Sequence, residues 1–327
     1  MKPPDISVVV CTYNRAALLR EALRSLFAQT AQDLTFEIIV VDNNSSDDTP
    51  STVELLETES PISLRYVREP RQGNAYARNT GVEKAESSII AFLDDDCIAD
   101  ENWLAIIKSA FNRDPELAFV GGRVLPVWES DPPSWLNTAH WAPLALLDYG
   151  TEARNISGQK PLGLLTANIA IRKTVFDELG GFLTSLQRVK GSIGSMEDHE
   201  FLQRICRSGR RGLYLPDLIT WAGVDPERMT KAYHRRWHTG HGHFYAVLND
   251  PEWERSRFQI AGVPSHLYKA TAKQAVSWCS KLLRGKTDAA FESECHLRFF
   301  VGFFLEATKR HKRHKRHKKE SGGTPIV

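Results

Sequence analysis

The run Ile89-Ile90-Ala91-Phe92-Leu93 is followed without a spacer by three carboxylates, Asp94, Asp95 and Asp96. A short apolar run with no alternation reads as a strand covered on both faces, the condition of a parallel sheet with helices on each side. Three adjacent acids repel one another and cannot enter a core. They belong on a solvated rim or against a cation. Hard oxygen ligands at the carboxyl end of a strand suit Mg²⁺ or Mn²⁺ holding a diphosphate. An acidic turn capping the next helix would have the same sequence, so the neighbouring segments must decide.

Those segments alternate strand and helix patterns, as in a parallel α/β sheet. Residues 6–11 read as a first strand, followed by an amphipathic helix with Leu18, Leu19, Ala22, Leu23, Leu26 and Phe27 on one face. A second strand, 36–41, ends in Asp42, and the polar loop 43–48 leads into a short helix. A third strand spans 64–68, and a loop and helix cover 73–85 before the strand that ends in the acid triplet. A helix over 102–112 and a strand over 117–120 continue the series. From 124 to 163 the periodicity fades into an irregular insertion rich in tryptophan and proline. It returns at 167–171, in a helix over 173–179 closed by Gly180-Gly181, and in a helix from Glu197 to about Arg207. Residues 229–245, 269–284 and 291–308 read as helices. The expected organisation is a sheet domain over 1–248, a helical extension over 249–308 and a basic disordered tail over 309–327.

The five cysteines (Cys11, Cys97, Cys206, Cys279 and Cys295) are scattered with no C-x-x-C pair, which fits a reducing cytoplasm and neither a disulfide frame nor a zinc site. The first residues resemble no signal peptide, and no apolar stretch reaches the roughly 20 residues of a membrane span. The expected location is cytoplasmic. The formal net charge of +2 hides an asymmetry: eight Lys and Arg residues lie within 309–319, and without them the chain stands at −6. A mildly acidic body excludes a nucleic-acid-binding body. The apolar stretch 297–305 ahead of the basic run fits a helix lying on an anionic membrane surface, and equally one packed on its own domain.

Ligands of an open parallel sheet bind outside the carboxyl ends of its strands. Here those ends carry Thr12-Tyr13-Asn14-Arg15, Asp42, Arg71-Gln72-Gly73 and Asp94-Asp95-Asp96. No G-x-G-x-x-G follows the first strand and no Walker lysine occurs, which speaks against dinucleotide and P-loop sites.

Taken together, Ser7-Val8-Val9-Val10-Cys11-Thr12-Tyr13-Asn14-Arg15, Val40-Val41-Asp42-Asn43-Asn44-Ser45-Ser46-Asp47, Gly73-Asn74-Ala75-Tyr76-Ala77-Arg78-Asn79-Thr80-Gly81, Asp94-Asp95-Asp96 and Glu197-Asp198-His199-Glu200-Phe201 resemble a family 2 glycosyltransferase over roughly residues 5–245. The resemblance implies a GT-A-type α/β fold, a Rossmann-like, mostly parallel sheet flanked by helices. It implies an inverting transfer from a nucleotide sugar, a UDP-sugar if Asp42 meets uracil as in the family, to a glycan or lipid-linked acceptor. Thr12, Tyr13 and Arg15 would line the nucleotide pocket, Asp42 would accept from the base, and Arg71 and Arg78 would lie near base or phosphates. Asp94 and Asp96 form the D-x-D pair, Asp94 toward the ribose and Asp96 on a Mn²⁺ or Mg²⁺ ion, with Asp95 between them on the nucleotide side. Asp198 matches the catalytic base, with Glu197 beside it. Ala167 and Asn168 match the acceptor side, to which Arg235, Arg236 and Trp237 are also assigned, by likeness to an Arg-Trp motif of processive synthases. Where many members carry a metal-touching histidine, this chain has Ala222 or Gly223, so the cation would rest on Asp96, diphosphate and water, or on another histidine such as His238. His199, His234, His241 and His243 read as surface or packing residues. Two other classes remain: a nucleotide-sugar-binding protein without a working base, which the presence of Asp198 disfavours, and a nucleotidyltransferase, whose Gly-rich loop the segment 11–15 lacks.

Overall fold

The computed structural model describes residues 2–30, 33–159, 161–187, 193–250, 254–256 and 258–321, with side chains described through 316. The order of elements begins β1 (Ile6–Thr12), α1 (Ala16–Phe27), β2 (Phe36–Asp42), α2 (Thr49–Glu59), β3 (Ser63–Arg68), α3 (Asn74–Lys84) and β4 (Ile89–Asp94). It continues with β5 (Cys97–Ala99), α4 (Trp103–Arg113), β6 (Leu117–Trp128), β7 (Arg154–Ile156), β8 (Asn168–Arg172), α5 (Lys173–Leu179), α6 (Glu197–Arg207) and β9 (Arg211–Val224). The last elements are α7 (Lys231–Leu248), the two-residue strands β10 (Gln259–Ile260) and β11 (Val263–Pro264), α8 (Ser265–Leu283) and α9 (Thr287–Ser321).

One sheet runs β3-β2-β1-β4-β8-β6-β9-β5, with β7 also paired to β9. The first four strands are parallel, and Ile6, Val8, Val9 and Val10 of β1 are all buried because both faces of the sheet are covered. β8 then lies antiparallel between β4 and β6, while β6 and β9 run parallel. On α1, Leu19, Ala22, Leu23 and Leu26 form the buried stripe. Leu18, expected on that face, is 46% exposed, because it sits one residue, about 100° of helix rotation, before the stripe begins.

Two segments depart from the sequence expectation. β6 does not stop at Val120 but extends through Trp128, so the irregular stretch starts later than 124. β9 was not anticipated at all. Burial alternates along its length, from Gly212, Tyr214 and Pro216 to Leu218, Thr220, Ala222 and Val224, the period-2 signature of a strand. Gly212, Pro216 and Asp217 punctuate it and conceal that signature in the bare sequence.

The chain forms two compact units. The first takes the described residues of 1–131, 144–190 and 197–225, and the second those of 132–143, 191–196 and 226–327. The boundary therefore falls at 225/226 rather than at 248, and α7 belongs with the C-terminal helices. Within that second unit α7 and α9 cross in backbone contact. A Cβ on Gly242 would lie 1.9 Å from the Phe299 carbonyl oxygen, and one on Gly302 would lie 1.9 Å from that of Thr239. Phe300, Phe303, Ala307, Ala246 and Leu267 fill the core beside the crossing. Within the apolar stretch 297–305, Phe300, Gly302 and Phe303 are thus internal, while Val301 and Leu305 stay exposed. The tail is not disordered from 309 onward: α9 carries the basic repeat as helix to Ser321, and 322–327 lie outside the described residues. No helix among the described residues is long and apolar enough to cross a membrane.

Candidate active site

The polar strand ends named above collect at the carboxyl edge of β1, β2 and β4 in the first unit. Two loops are laced together there. Asn14, at φ +52°, accepts the Ser46 N–H, and the Ser45 hydroxyl accepts the Asn14 N–H. Asp47 accepts the N–H of Ala16 at the start of α1, a favourable charge at a helix N-terminus. Thr12 is buried at the end of β1 and Tyr13 is 38% exposed beside it.

Arg15 reaches across to the acid triplet, 3.0 Å from Asp95 and 3.1 Å from Asp96. Burial opposes its charge, but Asp95 and Asp96 outweigh that and raise its pKa. Asp95 points inward and is buried, which pushes its pKa up to about 6 although Arg15 pulls it down. Asp94 and Asp96 face outward, with side chains 36% and 22% exposed.

Asp42 is wholly buried. One oxygen accepts the Ser45 N–H at 2.8 Å and the other the Tyr66 hydroxyl at 2.6 Å. Beside it Asn43 ties the end of β2 to the loop after β3: its amide donates to the carbonyls of Glu69 and Arg71 and its oxygen accepts the Gly73 N–H. Nothing in the sequence reading singled out Asn43. Arg71 is held in a two-pronged pair with buried Glu69 and lies over the Tyr76 ring, while Glu69 is held down at about 2 by Arg71 and Thr80. Gln187 was also missed; it is buried and accepts the Ala75 N–H in the first turn of α3.

Arg78 is the hinge between the two halves of this site. Its side chain, 5% exposed, donates to Glu197 at 2.8 Å and to Asp94 at 3.4 Å, and lies 5.7 Å over the Phe182 ring. Asn79, the next residue, clamps Phe182 by accepting its N–H and donating to its carbonyl. Asp198 sits in the first turn of α6 and borders a void of about 10 Å³ among the core side chains Leu164, Ile169, Phe182 and Phe201. Burial raises its pKa, with Arg78 opposing.

Ala167 and Asn168 are a correction. They are 2% and 1% exposed and present no surface to an acceptor. The Asn168 side chain accepts from Trp103 Nε1 and donates to the carbonyls of Arg123 and Leu218, so it knots α4, β6, β8 and β9 together. Arg235, Arg236 and Trp237 lie on α7 in the second unit. Arg235 pairs with Glu294, Arg236 is exposed, and Trp237 stacks on His241 at 4.4 Å. His238 lies on the same helix, its pKa pushed down to about 3 by burial.

Five carboxylates (Asp94, Asp95, Asp96, Glu197 and Asp198) thus face two guanidiniums, Arg15 and Arg78, a surplus of negative charge that a cation would relieve. No group of three or more potential ligands exists among the described residues. Ala222 pairs with Cys97 on the strand beside Asp96, and the Gly223 N–H approaches the Asp96 carbonyl at 3.4 Å, so this flank supplies no side-chain ligand. The two outward carboxylates fit a cation that arrives with a diphosphate and completes its shell from phosphate and water, the habit of Mg²⁺ and Mn²⁺.

The family description "Glycosyl transferase family 2" matches residues 7–180, over half of the chain. The succinoglycan biosynthesis protein ExoM of Rhizobium meliloti is 28% identical over 78% of this chain and 79% of its own length. The glucosyl-dolichyl phosphate glucuronosyltransferase of Haloferax volcanii is 27% identical over 56% of this chain, which spans 57% of that relative's length. A Campylobacter jejuni GalNAc(5)-diNAcBac-PP-undecaprenol beta-1,3-glucosyltransferase is 40% identical over 28% of this chain and 30% of its own. Among solved structures, the Pyrobaculum calidifontis mannosyltransferase PcManGT, in complex with GDP-Man and Mn²⁺, superposes with a TM-score of 0.60 at 22% identity, covering 96% of this chain and 89% of that one. Staphylococcus aureus TarS residues 1–349 give 0.52 at 17% identity, over 98% and 93%. With its GT-A fold and this family match over most of the sheet, the chain belongs to glycosyltransferase family 2.

Proposed function

We propose that this protein is an inverting, cation-dependent transferase that moves a sugar from a nucleoside diphosphate, UDP by preference, to a lipid-linked or polysaccharide glycan. The observation that carries the reading is Asp198, a carboxylate in the first turn of α6 whose neighbour Glu197 is tied through Arg78 to the acid triplet that ends β4. The raised pKa makes the carboxylate a stronger base than one in water.

In the proposed reaction Asp198 takes the proton of the acceptor hydroxyl as its oxygen bonds to the anomeric carbon. The bond from that carbon to the diphosphate oxygen breaks on the opposite face, so the centre inverts and the nucleoside diphosphate leaves with the electron pair. Asp94 and Asp96 would hold a divalent cation, which when bound acts as a Lewis acid on the leaving diphosphate. Arg15, paired with Asp96, would shift that pairing to a phosphate as charge develops. Arg78 holds Asp94 and Glu197, the neighbour of Asp198, in register. Relatives named for dolichyl phosphate and PP-undecaprenol support a polyprenyl-linked acceptor, and hence work at the cytoplasmic face of a membrane.

The test is release of nucleoside diphosphate from a panel of nucleotide sugars with Mn²⁺ or Mg²⁺, with and without polyprenyl-linked glycans. Turnover of one donor, abolished by chelation and by Asp96→Ala, is the expected result. A panel with neither turnover nor cation-dependent donor binding by calorimetry would rule the reading out.

A further inference from the structure

The second unit carries a surface for which the transfer chemistry has no use. From Lys312 to Arg316 every side chain of α9 is exposed, so the helix outruns the elements that support it. Among the described side chains, Arg310 is the last cation hydrogen-bonded to the fold, to Glu254 and to the Ala246 carbonyl. Lys309 and Arg313 approach Glu306 only at 4.0 Å, and the charges of Lys312, Lys315 and Arg316 lie beyond it.

Apolar side chains accompany these charges. Val301 and Leu305 on α9 are 48% and 57% exposed. Spacings of four, eleven and fifteen residues place Val301, Leu305, Lys312 and Arg316 on one line of the helix. The β10–β11 hairpin is docked beside that line. Its Gly262 lies so close to α9 that a Cβ there would be 2.5 Å from the His311 Cβ and 3.1 Å from the Ala307 carbonyl oxygen. The Tyr268 ring packs on Phe304 at 4.9 Å and its hydroxyl donates to the Ile260 carbonyl, which fixes the hairpin to the helix. Phe258 and Ile260 nevertheless turn outward, 75% and 60% exposed.

We infer that this hairpin and the free end of α9 form a docking face for an anionic phospholipid surface. The cations meet the headgroups, while Phe258 and Ile260, with Leu305 and Val301 behind them, enter the headgroup–acyl boundary. Charge alone would suit a nucleic acid equally, but exposed aliphatic and aromatic side chains beside the cations gain only from an occupant with an apolar interior. The cations lie on a helix, a rigid element, which presents them together. This face does not depend on the transfer reaction, so either can fail without the other.

The experiment is co-sedimentation of the full chain with vesicles of neutral phosphatidylcholine and of phosphatidylcholine with phosphatidylglycerol, repeated with single-stranded RNA as competitor. Binding to the anionic vesicles alone, weakened by salt, is expected. Each Lys or Arg near such a surface is worth roughly a fivefold change in partition, so Lys312→Gln, Arg313→Gln, Lys315→Gln and Arg316→Gln together should weaken binding by about two orders of magnitude or more. Phe258→Ser with Ile260→Ser should weaken it about tenfold or more with all charges intact. All six positions are exposed, and an unchanged thermal melt confirms the fold. Equal binding to neutral and anionic vesicles, displacement by RNA, or indifference to the Phe258 and Ile260 changes would each overturn the assignment.

Discussion

Arg78 Nη1 and Glu197 Oε1 meet at 2.8 Å with side chains 5% and 2% exposed, and this buried pair joins α3 to the first turn of α6. Two charges taken out of water stabilise a fold only as a pair. Losing one partner of a buried pair costs about 3–5 kcal/mol when nothing replaces it, and Asp94, at 3.4 Å from Arg78, offsets part of that. Glu197→Gln should therefore lower the free energy of urea unfolding by roughly 1–3 kcal/mol, and turnover should fall with it because Asp198 is the next residue. An unchanged unfolding midpoint would mean that the pair contributes nothing to the fold.

Asp198 gives a signature in pH. Burial raises its pKa above the ordinary carboxylate value of 3.8, and a general base must be deprotonated to act. The turnover rate should then rise with pH on the acid side, with an apparent pKa above 3.8, and level off once Asp198 is ionised. Asp198→Asn should remove about 10²–10⁴ of the rate and the acid limb with it, while donor affinity stays. An acid limb that survives in Asp198→Asn would transfer the role to another group.

The second unit should be sensitive to acid. His234 is wholly buried among Trp135, His140, Tyr233 and Phe291, and burial pushes its pKa down from 6.5 to about 4. Arg228, near its ring, and Lys231, over Trp135 and Phe291, add positive charge to the neighbourhood. The folded state holds this ring neutral, whereas the unfolded chain protonates it below 6.5. Stability is therefore fully present above about 6.5 and is lost as pH falls toward about 4. The melting temperature should drop between pH 7 and pH 5, and less steeply in His234→Phe, which keeps a flat ring and removes the titration. Equal slopes for the two proteins would clear His234 of the effect.

Asn168 separates a structural role from an acceptor role. Asn168→Ala strands Trp103 Nε1 and two carbonyls in the core, each lost bond costing about 1–3 kcal/mol. The expected outcome is a loss of about 3 kcal/mol or more in unfolding free energy. If the variant melts normally and only the acceptor KM rises, the side chain contacts acceptor after all.

The sequence by itself was enough for β1 to β4 and the helices between them. Parallel strands covered on both faces must be continuous apolar runs, and residues at their carboxyl ends must be polar, so Asp42, Arg71 and Asp94–Asp96 stood out as one edge. It was not enough for β9, whose alternation is broken by Gly212, Pro216 and Asp217, nor for β8 as an antiparallel neighbour of β4, because pairing direction leaves no mark on a five-residue run. Tertiary structure alone decided the partners of polar groups. Arg78 and Glu197 lie far apart in the chain, and only packing shows that they neutralise each other. Asn168 looks like a ligand residue in the sequence and is a core knot in the fold. The stretch 297–305 could lie on a bilayer or fill a core, and the Gly242–Gly302 crossing draws one side of it inward, leaving Val301 and Leu305 exposed along with Phe258 and Ile260. Local pattern records whether a residue must avoid water; which groups replace the water is settled by elements that meet only when the chain has folded.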